Sequence, residues 1–238
     1  MLRFLNIPLV LYDINKILPN EFTSQAEMEE TLNHFQKMTN NKKTISQVAF
    51  AEWKKTLLSY DWLDYKIRFP VLDSEIDDFV RKSYIGGWCY KNADTSKASG
   101  KTYDVNSLYS YVMHSKSKNY YPVGRPAHFN GDCPDEYKKP WFFSFYRIAV
   151  KFAIKEGHLP CIKANNDLLY KPNEWLITST IVKNDKIVTR YCELYLTQID
   201  LKMLYEHYNV EDIKILECYT FRAVLGIFDE FVNKWYTL

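Results

Sequence analysis

The sequence predicts an α+β fold in which a helical N-terminal part precedes a part rich in β-strands. Up to residue 83 the apolar residues recur at helical spacing, whereas from residue 142 onward they alternate with polar residues, which is typical of strands. The 238 residues are 47% hydrophobic and 25% charged, which is enough to bury a core in one or two domains.

Helices are predicted in three places within the first 83 residues. The first covers about 25–38, after Ser24, and the second covers about 46–59. The third begins after Asp73 and Ser74, residue types that favour helix N-termini.

Strands and helices are both predicted after residue 142. A half-buried strand over 142–155 follows from the alternation of Ile148, Val150 and Phe152 with charged residues. The helix at 198–208 is expected to place Ile199, Met203 and His207 on one side. Further strands are predicted over 160–163, 188–196 and 213–221, and a last helix over 227–236.

The stretch K-T-Y-D-V-N-S-L-Y-S-Y-V-M, residues 101–113, combines groups that suit metal and phosphate chemistry. A short strand at 102–105 would hold the carboxylate of Asp104, and a turn at Asn106 and Ser107 would follow it. The amide groups after the strand can then face an anion. From these residues alone, ordinary helix capping is an equally simple interpretation.

Two further segments indicate contact with nucleic acid. The run S-Y-I-G-G contains Tyr84, Gly86 and Gly87, which would allow close approach of another chain, or would form a tight turn before a strand at 88–90. The window 105–131 contains no acidic residue, and in it cations alternate with tyrosines, as a groove for a single strand requires. A solvated loop above packed aromatic residues is the alternative for this window.

These segments resemble family B DNA polymerases of the protein-primed type found in small phages, linear plasmids and viruses. D-V-N-S-L-Y is similar to the first catalytic motif of that family, with Ser110 where the family usually has proline. R-K-S-Y-I-G-G-W resembles the Y-x-G-G element at the exonuclease–polymerase junction. The runs L-Y-L-T-Q-I-D-L-K and Y-T-F-R-A-V-L-G-I-F-D-E-F-V-N-K-W resemble the insertion between the first and second motifs.

The resemblance implies a division of the chain into four parts. Residues 1–83 would correspond to the end of the exonuclease domain and 84–116 to a segment of the palm. Residues 117–215 would form the insertion that contacts the priming terminal protein, and 216–238 a strand and helix returning toward the palm.

The same resemblance assigns roles to individual residues. Asp104 would be the catalytic carboxylate and, with the carbonyl of Val105, would bind Mg²⁺ or Mn²⁺. The amides of Ser107 and Leu108 would lie near the triphosphate, and Tyr109 would lie beneath the deoxyribose. DNA would be bound by Tyr84, Gly86, Gly87, Lys116, Lys118 and Arg125.

The 238 residues lack other parts of the family pattern. The second motif, N-S-x-Y-G, and the third, D-T-D-S, do not occur. The helix around 27–35, which would match the exonuclease motif Y-x-x-x-D, has no tyrosine followed four residues later by aspartate. Nucleotidyl transfer by two metal ions needs carboxylates from more than one strand. We therefore expect part of a protein-primed DNA-directed DNA polymerase, with a role in DNA replication and catalytically incomplete in this chain. The alternative is a non-catalytic module that binds DNA or the priming protein.

Expected partners follow from the missing motifs. They are DNA, the terminal protein, and either a chain carrying the remaining motifs or a second copy. The metal ion would bind only where a partner supplies the second carboxylate.

Cysteine usage and hydropathy predict a cytoplasmic protein that does not enter membranes. The five cysteines form no C-x-x-C pair, which is typical of free thiols in a reducing compartment. No apolar run approaches the roughly 20 residues that span a bilayer. The net charge of +2 is too small to indicate nucleic-acid binding by itself.

Overall fold

A computed structural model shows the α+β fold that the sequence predicts. It describes residues 45–58, 62–86, 100–101, 103–163, 175, 179–183 and 186–235. The predicted helix at 25–38 and the predicted strand at 88–90 lie outside these residues.

The chain divides into two compact units, each built from separate segments. The first unit comprises Met1–Ile67, Asp104–Asn119 and Leu225–Leu238, and the second comprises Arg68–Tyr103 and Tyr120–Val224. This division into two units is structural. The division into four functional parts, which the resemblance implies, stays a prediction.

The second unit is built on a five-stranded sheet with the order β1-β5-β2-β4-β3. Strand β2 pairs antiparallel with both β4 and β5, and β3 pairs antiparallel with β4. The strands are β1 (Tyr120–Phe129), β2 (Phe142–Ile154), β3 (Ser179–Lys183), β4 (Lys186–Thr197) and β5 (Tyr208–Leu225).

Strand β2 occupies the centre of the sheet and buries side chains on both faces. Ile148, Val150 and Phe152 are fully buried in the larger of two apolar clusters, as the alternation predicted. Phe143 and Phe145 have odd numbers, so they lie on the other face of the strand, and they belong to the second cluster. The first half of the strand is therefore fully buried rather than half-buried as predicted.

Helix α3, Ser74–Lys82, supplies part of the second cluster and begins where the sequence predicts. Its N-cap residue is Asp73, whose carbonyl accepts the hydrogen bond from the Asp77 amide at 2.9 Å. Phe79 is 6% exposed and packs edge-on against Tyr195 and Tyr219, with ring centroids 5.2 and 4.7 Å away. Such aromatic pairs add to the burial of apolar area in fixing the helix.

Helix α5, Gln198–His207, begins with a capping box in which Thr197 and Asp200 exchange hydrogen bonds. Of the three residues predicted to lie on one side, Ile199 is 52% exposed, whereas Leu204, which is not one of them, is fully buried. Leu201 packs in the same cluster as Leu204, so the buried face lies nearer those two residues than Ile199.

The predicted strand at 160–163 is also wrong. The segment is irregular although Cys161 and Ile162 are buried. Their amides both donate to the hydroxyl of Tyr208, at 2.8 and 2.9 Å. A side chain from β5 thus satisfies the groups that a strand would have satisfied by pairing.

Strand β1 and the short strand β3 were not predicted. Pro122, Gly124 and Pro126 obscure the strand pattern of β1, yet β1 lies at the edge of the sheet, where proline is tolerated.

The described part of the first unit is helical. It contains α1 (Ile45–Leu58), most of α2 (Trp62–Arg68), α4 (Leu108–Met113) and α6 (Asp229–Trp235). Helices α1 and α6 agree with the sequence within a few residues, whereas the seven-residue α2 was missed. Trp53 on α1 donates its indole hydrogen to the carbonyl of Ile227 at 3.0 Å and packs against Phe228.

Four of the five cysteines lie within the described residues. The thiols of Cys133, Cys161, Cys192 and Cys218 are free and buried there. No helix in this part of the chain is long and apolar enough to span a bilayer.

Candidate functional site

The segment around Asp104 forms an exposed turn before α4. The prediction of a strand at 102–105 is wrong, since Tyr103–Val105 has no regular structure and Thr102 lies outside the described residues. A strand needs a neighbour with which to exchange hydrogen bonds, and no described strand pairs with this segment. Asp104 is exposed, and Val105 beside it is 63% exposed.

Ser107 is the N-cap residue of α4 and adopts a left-handed backbone conformation, with φ 55° and ψ 27°. Its hydroxyl makes no capping hydrogen bond, although the sequence predicted a capping residue here. Its carbonyl accepts from the Tyr111 amide at 2.9 Å. A non-glycine residue in this region costs about 1–3 kcal/mol, which the surrounding contacts must supply.

Helix α4 presents two tyrosines on the surface of the chain. Tyr109 is 76% exposed and Tyr111 is 49% exposed, whereas Ser110 between them is 6% exposed. Tyr109 is therefore not a core residue of this chain. Serine occupies a buried position of α4 where the resemblance expects proline.

Polar side chains form hydrogen bonds between the segment after α4 and α6. The carboxylate of Asp229 accepts from the amide of Ser115 at 2.8 Å and from its hydroxyl at 2.5 Å. His114 is 7% exposed, and its Nε2 lies 3.2 Å from Oδ1 of Asn233. Gly226 leaves room for this carboxylate, since a Cβ there would lie 3.1 Å from Oδ2 of Asp229. No local pattern predicted these hydrogen bonds, whose partners are 114 and 119 residues apart.

The oxygen atoms available at Asp104 are of the chemical type that a magnesium ion prefers, but they are too few to hold the ion. A carboxylate and the carbonyl of Val105 are hard oxygen ligands of the type that Mg²⁺ prefers. Among the residues that the structure describes, no three or more of His, Cys, Asp and Glu form a cluster that could hold a metal. A second source of carboxylate is needed.

The residues expected to bind DNA are divided between the two units. Lys116 and Lys118 lie in the first unit, at and just after a 3₁₀ turn over Ser115–Ser117. Arg125 lies on β1 in the second unit and pairs with Asp73 at 3.2 Å. Both side chains of that pair are more than half exposed, so the pair contributes little stability and competes weakly with a phosphate.

The second unit also contains Tyr84, which is 83% exposed, and Gly86, while Gly87 lies outside the described residues. The groove of interleaved cations and rings stays a prediction. Tyr120 packs against the second apolar cluster, and burial raises the pKa of the Tyr121 hydroxyl. These two rings belong to strand β1 rather than to an open loop.

Comparison with known proteins gives consistent matches over most of the chain. The family model of DNA polymerase type B, organellar and viral, matches residues 9–238. The DNA polymerase of Bacillus phage Nf is 32% identical over 170 residues, which are 70% of this chain and 27% of that protein. The DNA polymerase of Streptococcus phage Cp-1 is 30% identical over 206 residues, which are 82% of this chain and 33% of that protein.

A solved structure matches as well. Phi29 DNA polymerase complexed with primer-template DNA and incoming nucleotide substrates has a TM-score of 0.67 and 28% sequence identity. The match covers 92% of this chain and 37% of that one. The chain thus spans about a third or less of the curated relatives that it matches.

Proposed function

Because the chain belongs to the type B DNA polymerases of organelles and viruses, we propose that it is the part of a protein-primed, DNA-directed DNA polymerase that carries the first catalytic motif. The observation that carries this proposal is the D-V-N-S-L-Y segment, in which Asp104 and Tyr109 are both exposed. A structural match that covers 92% of this chain, to a polymerase solved with primer-template DNA and incoming nucleotides, supports the proposal.

Each residue of this segment has a proposed role. Asp104 and the Val105 carbonyl would be ligands of Mg²⁺ or Mn²⁺, which when bound neutralises charge on the phosphates. The amides of Ser107 and Leu108 would donate to the triphosphate. The Leu108 amide is 3.4 Å from the Val105 carbonyl, a long and weak hydrogen bond that leaves the amide available.

Tyr109 would select the sugar of the incoming nucleotide. A ring packed against C2′ leaves no room for a hydroxyl there, and the 2′-hydroxyl is the group that distinguishes the two sugars. The exposure of Tyr109 supports this role, because a selecting ring must be reachable by the ligand.

The proposed partners follow from the parts of the chain. DNA would contact Tyr84, Gly86 and Gly87 as well as Lys116, Lys118 and Arg125, and a terminal protein would contact residues 117–215. A chain with the remaining motifs, or a second copy, would complete the active site.

The 238-residue chain tested alone is expected to incorporate no nucleotide with MgCl₂ or MnCl₂. One carboxylate cannot hold two ions about 4 Å apart in the geometry that phosphoryl transfer needs. Primer extension is the measurement, with the chain alone compared with a chimera in which residues 84–238 replace the matching segment of phi29 DNA polymerase.

Activity in the chimera, together with none in the chain alone, supports the proposal. Extension by a clean preparation of the chain alone would show that the metal site is already complete. An inactive but folded chimera that still binds primer-template DNA would favour the non-catalytic module.

Binding of the chain to single-stranded DNA is expected to weaken when both Lys116 and Lys118 are replaced by alanine. Each lysine that contacts a phosphate releases counterions from the DNA when the chain binds. Without that contact, the slope of log affinity against log salt concentration should become less steep by about 0.7 per lysine. Fluorescence anisotropy over a range of salt concentrations measures this slope.

Lys66, an exposed lysine on α2, provides the matched control. An equal loss of affinity in Lys66→Ala, or an unchanged slope in the double variant, would place the DNA elsewhere.

A further inference from the structure

Two histidines that play no part in the proposed active site meet in the second unit. His158 follows the end of β2, and His207 is the last residue of α5. Their Nδ1 atoms are 3.2 Å apart, and their rings stand edge to face with centroids 5.1 Å apart. With no metal bound, one Nδ1 must donate a hydrogen to the other, so the two rings share one hydrogen.

The backbone that carries this pair is held by Lys155. The amide of Lys155 donates to the carbonyl of His207 at 3.0 Å, and its carbonyl accepts from the amide of His158 at 3.2 Å. Its ammonium group donates to the carbonyls of Tyr205 and Glu206 at 3.0 and 2.9 Å. Lys155 therefore connects the turn of His158 to the C-terminal end of α5 by hydrogen bonds. These bonds position both rings before any ligand binds.

The pair is also open to solvent and chemically suited to a cation. His158 is exposed and His207 is half-buried, so an ion can reach both rings. The C-terminal end of a helix carries partial negative charge, which the Lys155 ammonium already offsets at this helix, so the two imidazoles themselves must supply the affinity for a metal ion. Cys161, three residues after His158, is buried in the larger apolar cluster, and no group of three or more ligand residues in the described part of the chain includes it.

We propose that His158 and His207 form a two-histidine binding site for a divalent transition-metal ion, with both Nδ1 atoms as ligands. Tetrahedral coordination at metal–nitrogen distances of about 2.0–2.1 Å places two nitrogens about 3.3–3.4 Å apart, close to the separation of these two atoms. Imidazole nitrogen suits Cu²⁺, Zn²⁺ and Ni²⁺, and does not suit Mg²⁺.

Water must complete the coordination, because no third protein ligand joins the pair among the described residues. The bound ion is therefore exchangeable, and it replaces the shared hydrogen as the link between the turn and the helix. This site shares no residue with the proposed metal site at Asp104. The proposal does not depend on the proposed polymerase function.

The test is isothermal titration of the whole 238-residue chain with CuCl₂, ZnCl₂ and MgCl₂, together with thermal unfolding. Cu²⁺ should bind most tightly, Zn²⁺ less tightly and Mg²⁺ not at all at this site. Bound metal should raise the unfolding temperature, because it binds the folded chain. We expect His158→Gln and His207→Gln each to weaken binding of Cu²⁺ by at least about tenfold.

His128→Gln is the matched control, since His128 is also exposed on the second unit but is hydrogen-bonded to Glu217 at 2.9 Å. It should leave metal binding unchanged. His158 lies outside the helices and strands, so its variant separates loss of a ligand from damage to α5, which the His207 variant alone would not do.

Unchanged Cu²⁺ affinity in His158→Gln overturns the proposal, as does an equal loss in His128→Gln. Binding that requires millimolar Cu²⁺ in the unaltered chain also overturns it, because a positioned pair of imidazoles should outcompete single surface histidines.

Discussion

Replacing Asp104 with asparagine is expected to lower nucleotide incorporation by about a hundredfold to a thousandfold in the chimera that carries residues 84–238. This is the scale of loss when one group that stabilises transition-state charge is removed. The amide keeps the size of the side chain but removes the negative charge that a divalent ion requires. Single-turnover incorporation measures the chemical step apart from DNA binding.

Asp135→Asn is the control for this experiment, because the Asp135 side chain is 97% exposed and pairs with Lys138 on the surface. It should leave incorporation unchanged. Full activity in Asp104→Asn, with DNA binding also unchanged, would remove Asp104 from the catalytic role.

Tyr109→Val should raise ribonucleotide incorporation relative to deoxyribonucleotide incorporation by up to about a hundredfold in the same chimera. This is the discrimination that a site reaches against an added hydroxyl by shape alone. Shortening the ring opens the space in which a 2′-hydroxyl would clash. The measurement is the ratio of kcat/KM for the two nucleotides.

Stability separates this role from a structural one. Because Tyr109 is 76% exposed, Tyr109→Val should change the free energy of unfolding by no more than about 0.5 kcal/mol. Tyr111→Val, two residues along the same helix, should leave the selectivity unchanged. Unaltered selectivity in Tyr109→Val, or the same relaxation in Tyr111→Val, would contradict the assignment.

Local sequence patterns were sufficient where the structure depends on neighbouring residues. Asp73 and Ser74 predicted the start of α3, and the alternation from Phe142 predicted β2 within one residue of its end. The order of residues in D-V-N-S-L-Y also indicated the family, which the match to residues 9–238 confirms.

Patterns failed where a distant side chain replaces a local hydrogen bond. The segment at 160–163 has the composition of a strand, but the hydroxyl of Tyr208 takes up its amides. Tyr103–Val105 resembles a strand for the same local reasons, yet no described strand lies beside it. The periodicity of apolar residues indicates which side chains are buried, but it does not indicate which partner forms a hydrogen bond with a backbone amide.

The sequence by itself therefore determined the α+β class, most of the regular elements and the residue types of the candidate site. Only the tertiary structure decided that Tyr109 is exposed, that Asp229 holds Ser115, and that His158 meets His207 across 49 residues of chain. The physical reason is that strand order and helix packing set which distant residues meet, and these follow from burying the whole core at once rather than from any local pattern.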